Sequence, residues 1–249
     1  MASLIYCELL KLKRSRMLLI SFLGGVVTPM MMIVDAVKIH YSDPTTAITL
    51  ESLYHSCSLY SMLLVGLIVS TVIAAYLFSR EHTERTLKII LTIPVSKHSF
   101  IASKFIMLLM WVTALSAISW ASMFVFALPY HAVFGIAEFD VAVAVRYLGE
   151  MLLGGVLLFL TISPFAFLAL WTKGLVVPII AATSITMGNA ALTNEALGAL
   201  YPWTASYLLV HGSIAQTGYS YALAAGLVAF VSILGFLASV VYFQQEDIK

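Results

Sequence analysis

Polar residues with the types and spacing to do chemistry crowd into one stretch of this chain, Ser79–Lys104. It reads S-R-E-H-T-E-R-T-L-K-I-I-L-T-I-P-V-S-K-H-S-F-I-A-S-K. The chain contains no H-E-x-x-H zinc helix, no G-x-S-x-G elbow and no paired intramembrane aspartates, the patterns that would mark a membrane enzyme. It also lacks a G-x-x-x-x-G-K-[ST] phosphate loop, so it cannot hydrolyse ATP by that route. The insert is charged and wet, held by apolar chain at both ends, and so is well placed to take a push from a soluble partner.

The spacing within the insert specifies local structure. Glu81, Glu84, Arg85 and Lys88 sit one or two helical turns apart, and Glu84 and Lys88 form an i,i+4 pair in the favourable order. Leu87, Ile90 and Leu91 give the same turns an apolar side. Pro94 stops the helix, because proline has no amide hydrogen and clashes with the preceding turn. Ser96 is suited to cap the helix that follows. Taken alone, this pattern also describes a solvated loop with a surface helix.

The elements that hold the insert are membrane spans. Of 249 residues, 61% are hydrophobic and 10% charged, with a mean hydropathy of +1.01; soluble domains carry about 25% charged residues. The fold class expected is an all-α membrane protein, one domain over residues 1–249. Runs of about 20 apolar residues suit spanning helices. Six are expected, near Met17–Val37, Leu59–Phe78, Phe100–Leu128, Tyr147–Trp171, Leu175–Leu192 and Tyr221–Phe243. With these spans, eleven of the thirteen Lys and Arg residues fall on one side and only Lys38 and Arg146 on the other. Basic residues favour the cytoplasm, so both termini and the segment 79–99 are expected there. No basic domain face exists, which excludes nucleic acid as a partner. Cys7 and Cys57 fall on opposite sides of the first span and read as small apolar residues.

Residues 1–16 read as an interfacial helix, with Leu4, Ile5, Leu9 and Leu12 on its apolar side and Glu8, Lys11 and Arg14 elsewhere around it. Asn194–Ser220 lacks Lys and Arg and carries Gly198, Pro202, Gly212 and Gly218. A short outer hairpin or re-entrant helix pair is expected, with a surface loop as the alternative.

The string E-H-T-E-R-T-L-K-I-I-L-T-I-P-V-S-K, followed by Lys104, resembles the signature of the type-2 permeases of ATP-binding-cassette exporters. The matching positions are Glu81 or Glu84, Thr86-Leu87-Lys88, Pro94-Val95-Ser96-Lys97 and Lys104; Arg85 stands where that family commonly has glycine. The opening Glu8-Leu9-Leu10-Lys11-Leu12-Lys13-Arg14-Ser15 is similar to small permeases of lantibiotic-immunity and bacitracin-resistance exporters. The resemblance implies a bacterial cell-membrane permease that works with a second permease chain and two cytoplasmic ATPase subunits. ATP and Mg would sit on those subunits, and no cofactor on this chain. The insert would be the coupling helix, with Glu81, Glu84, Thr86, Lys88, Pro94, Ser96 and Lys97 as the coupling residues.

Ionisable groups within the spans read as nearly absent. Lys173 is expected to snorkel to the cytoplasm, Asp35 and Glu150 to lie near the outer ends, and Arg146 and Glu150 to pair locally at i,i+4. A pathway of this kind suits amphipathic cargo that enters sideways from the bilayer, with Met30, Met31, Met32, Met62, Met107, Met110 and Met123 as adaptable packing groups. Antimicrobial or other amphipathic peptides are the first expectation by resemblance, and hydrophobic drugs or lipids the alternative. A six-span channel or accessory protein, or an intramembrane enzyme, is the alternative of a different class. Gly24-Gly25, Gly154-Gly155 and Gly66 with Ser70 are expected to allow close helix approach, and Pro29, Pro164 and Pro178 to kink helices. His40, His55, His131 and His211 lie outside in this topology without a compact ligand spacing, so no metal site is expected.

Overall fold

The computed structural model describes residues 2–13, 17–43, 47–84 and 96–245. Its elements are α1 (Ala2–Lys13), α2 (Met17–Ser42), α3 (Leu50–Leu63), α4 (Val65–Thr83), α5 (Lys97–Phe134), α6 (Val141–Thr172), α7 (Val176–Leu192), α8 (Pro202–Val210) and α9 (Tyr221–Gln245). Two 3-10 turns, Ala196–Leu200 and Ser213–Thr217, flank α8. The described residues form no named strand; a single bridge pairs Thr49 with Ala137 between two loops.

Local chemistry explains most helix ends. Thr49 and Ser52 close a reciprocal capping box at the start of α3, which satisfies two amides that the first turn leaves without partners. Ser96 caps α5, and Asp140 caps α6 by accepting from the Ala142 amide at 2.8 Å. Gly135 at φ +76° ends α5, and Lys173 at φ +53° ends α6 in the left-handed region.

Among the described residues, five helical stretches are long and apolar enough to cross a membrane: Leu19–Ser42, Leu50–Thr83, Lys97–Phe134, Val141–Thr172 and Tyr221–Gln245. The expected fifth span, α7, has 17 residues, or about 25 Å at 1.5 Å per residue. The second span begins at Leu50 rather than Leu59 and is interrupted at Leu64. The third and fourth spans also overrun their expected bounds. A 38-residue helix such as α5 is about 57 Å long, so it projects well past a hydrocarbon layer of about 30 Å. Its polar ends therefore escape a hydropathy reading.

Helix α6 is the centre of the bundle, packed by α9, α4 and α5, while α2 lies along α5. The α6–α9 contact is close enough that a Cβ on Gly235 would sit 2.5 Å from the Pro164 nitrogen. Pro164 leaves the Leu160 carbonyl without its amide, and the Ser163 hydroxyl lies 2.9 Å from that oxygen and 3.0 Å from the Ser232 carbonyl. Pro29 and Pro164 lie inside helices, whereas Pro178 falls in the first turn of α7. No intrahelical amide bond is lost there, so Pro178 is not a kink. Gly24, Gly25, Gly154 and Gly155 face side chains of neighbouring helices at short range. The outward sides of α2 and α9 carry exposed Phe22, Met30, Val34, Phe230, Ile233 and Leu237. Such faces suit lipid and are too extensive for a soluble monomer.

Candidate functional site

The ends of the charged insert are fastened by a buried ionic junction. Glu81 lies near the end of α4 and Lys104 two turns into α5, and they are only 2% and 1% exposed. The Lys104 ammonium lies 2.5 Å from Glu81 Oε2, also donates to the Leu77 carbonyl, and sits over the Phe100 ring at 5.1 Å. The other Glu81 oxygen faces the Lys11 ammonium at 3.7 Å, and Lys11 in turn bonds Glu8 at 2.8 Å. Glu8 is itself buried. Two acids and two bases thus tie α1, α4 and α5 together.

This arrangement corrects two expectations. Buried charge is present in the helices that form the spans. Within the N-terminal helix, Glu8 is turned inward beside Ile5, which the sequence placed away from it, while Tyr6, Leu9 and Leu10 are exposed. The reason is that Lys11 and Glu81 give Glu8 a charged environment inside the fold, which offsets the loss of water.

The expected coupling residues divide into three groups. Glu81 is inside the junction. Glu84, Ser96 and Lys97 flank the segment 85–95 where it enters and leaves. Glu84 is exposed and pairs with Arg80 at 2.9 Å; Ser96 accepts from the Ser99 amide at 3.2 Å; Lys97 donates to the Gln244 carbonyl of α9 at 3.0 Å. The remaining positions, Thr86, Lys88 and Pro94, lie outside the described residues, as does the expected Glu84–Lys88 pair.

Above α4, the second span breaks at Leu64 (φ −122°, ψ −90°). A Cβ on Gly66 would collide with the Ser61 carbonyl oxygen, so this backbone path requires glycine. Gly66 therefore serves its own helix rather than a neighbour. The break leaves the Leu63 carbonyl outside a regular helix, and Asn189 of α7 donates to it at 2.8 Å. Asn189 is fully buried and accepts from the Thr204 hydroxyl of α8 at 3.1 Å. A polar side chain within an apolar run is the signal that marks Asn189 in the sequence. Beside the break, a groove of about 540 Å3 opens between α2 and the second span, lined in part by Met30, Met31, Met32, Tyr60, Leu64 and Val65.

Around the far ends of α3 and α6 lies a second polar cluster. Arg146 bonds Glu51 at 2.5 Å and Glu150 at 3.4 Å, so its expected i,i+4 partner is one of two. Glu150 also lies 3.3 Å from Nδ1 of His211, whose Nε2 is 3.0 Å from the Ser58 hydroxyl. His55 is 3.2 Å from the Tyr207 hydroxyl. Burial pushes the His211 imidazole down to about 4, helped by the nearby His55 and Arg146. A neutral ring then donates from Nδ1 to Glu150 and accepts from Ser58 at Nε2. His55 and His211 approach to 5.2 Å between ring centroids. Among the described residues, no group of three or more His, Cys, Asp or Glu is placed to hold a metal ion.

Residues 4–189 match the family model described as ABC-2 family transporter protein. The chain is 35% identical over 211 residues to the bacitracin transport permease protein BCRB of Bacillus licheniformis, covering 82% of this chain and 96% of that protein. No solved structure matches the chain. The family model extends across the buried junction and the break in the second span, and the chain belongs to the ABC-2 family of transporter permeases.

Proposed function

We propose that this chain is the membrane-spanning subunit of an ATP-driven exporter of amphipathic peptides, with peptide antibiotics of the bacitracin type as its cargo. It works beside a second permease chain and a pair of ATP-binding-cassette subunits, which hold the ATP and Mg. In this reading α7 completes a sixth crossing, both termini face the cytoplasm, and the hairpin around α8 lies at the outer side. The family supports the ATPase partner, and the relative's name supports the cargo class.

The observation that carries the mechanism is the buried pair Lys104–Glu81. It staples the two helix ends that the segment 85–95 joins. A push on that segment is then shared by α4 and α5, and by α1 through Lys11. The interruption at Leu64 lets α4 tilt without dragging α3 as one rigid rod. The methionine-lined groove opens at the same interruption. Irregular backbone at membrane depth survives where protein or a cavity covers it, and methionine adapts to variable apolar surfaces. ATP shifts such a permease only because the ATPase binds its access states with different affinity.

The reading is tested by recovery of partners. Tagged permease extracted from its native membrane is expected to bring down an ATP-binding-cassette ATPase. Glu84→Arg and Lys97→Glu are expected to reduce the retained ATPase about tenfold, the effect of losing about 1.4 kcal/mol at an interface. A permease that carries bacitracin across vesicles with no ATPase present would overturn it.

A further inference from the structure

Residues of α3, the turn after α7, and α8, the elements that Asn189 ties together, line an open cleft of about 550 Å3. Helix α3 supplies His55, the turn after α7 supplies Asn194 and Glu195, α8 and its end supply Tyr207 and His211, and the second 3-10 turn supplies Gln216. No Lys or Arg lines this cleft, and none occurs anywhere in Asn194–Ser220. The Glu195 carboxylate is exposed and makes no cap bond to the turn it precedes. His211 adds no positive charge near neutral pH, since burial holds its imidazole at about 4. The nearest guanidinium, Arg146, is already shared between Glu51 and Glu150. Glu51, Glu150 and Glu195 against Arg146 give the groups around the cleft a net charge of −2.

We propose that the cleft is a binding site for a protonated primary amine. Glu195 is its counter-ion, and the Asn194 and Gln216 amide oxygens and the Tyr207 hydroxyl are its neutral acceptors. A carboxylate with uncharged acceptors and no lysine or arginine in the lining attracts ammonium and repels phosphate or carboxylate ligands. The volume fits a group larger than a bare ammonium, since ligand clefts run to roughly 300–1,000 Å3. The terminal amine of a cationic peptide and the ethanolamine headgroup of a lipid share this chemistry. The proposal does not depend on coupling to an ATPase, because binding is read without nucleotide.

The test uses full-length permease in phosphatidylcholine nanodiscs, with the imidazole carbons of histidine labelled for NMR and spermidine as the probe. Saturable shifts of the His55 and His211 signals are expected with spermidine and not with the neutral 1,4-butanediol. Glu195→Gln is expected to weaken spermidine binding at least about tenfold, the loss of one hydrogen bond to a charged group. Glu195→Asp is expected to retain it, and Glu138→Gln, on a different loop, to leave it unchanged. Nanodiscs containing phosphatidylethanolamine separate the sources: competition with spermidine assigns the site to a lipid headgroup, and its absence assigns it to a soluble or cargo amine. Equal shifts with butanediol, no saturable shift, or full affinity in Glu195→Gln would each overturn the proposal.

Discussion

Replacing Lys104 with methionine is expected to destabilise the permease by about 3–5 kcal/mol, the penalty for breaking a buried ion pair from one side. Glu81 is 2% exposed, and its remaining cation, Lys11, stands 3.7 Å away and is already bonded to Glu8. The carboxylate would keep its desolvation penalty and lose its main counter-ion, together with the Phe100 ring contact that holds the ammonium in place. The paired change Glu81→Met and Lys104→Met is expected to recover most of that loss, because apolar replacement of both partners of a buried pair is often neutral. Thermal unfolding in detergent measures both. A single variant as stable as the unaltered protein would mean that water or lipid headgroups already solvate the junction.

Gly66→Ala is expected to abolish cargo movement while the complex still assembles. The added methyl would overlap the Ser61 carbonyl oxygen, and neither atom is the far end of a flexible side chain. The helix must shift there, with an overpacking penalty of about 1–3 kcal/mol, and it must either straighten across Leu64 or displace Asn189 from the Leu63 carbonyl. Gly226→Ala in α9 is the matched control, since a methyl at Gly226 meets nothing within 4 Å. That change is expected to be neutral or to stabilise by about 0.5–1 kcal/mol, the usual gain from replacing a helical glycine. Transport of bacitracin per ATP hydrolysed in proteoliposomes separates the two variants. Normal transport in Gly66→Ala would remove the break from the mechanism.

The apolar spans were legible because composition alone reports them. Their ends were not. Leu50–Ser58 carries Glu51, Ser52, His55, Ser56 and Ser58, which mask a helix that a capping box starts at Thr49. The break at Leu64 left only Gly66 as a trace, since leucine has no preference for such backbone. Glu81 and Lys104 stood out through motif spacing, whereas the inward turn of Glu8 depends on tertiary contact with Lys11 and Glu81. The polar cluster of Glu51, His55, Arg146, Glu150, Tyr207 and His211 was the least legible. Its members come from α3, α6 and α8, and no local spacing relates His55 to His211. Pro178 misled for a simple reason: a proline is a kink or a helix start according to where the helix begins, and Lys173 at φ +53° sets that beginning.

The most direct measurement is labelling at the centre of the segment between the two stapled helix ends. In a Cys7→Ser and Cys57→Ala background, Lys88→Cys provides one thiol for a membrane-impermeant maleimide. Reaction in inside-out vesicles, none in intact cells, and protection when the ATPase is bound is the result expected of a cytoplasmic docking segment. Labelling from the outside medium in intact cells would contradict both the orientation and the coupling role.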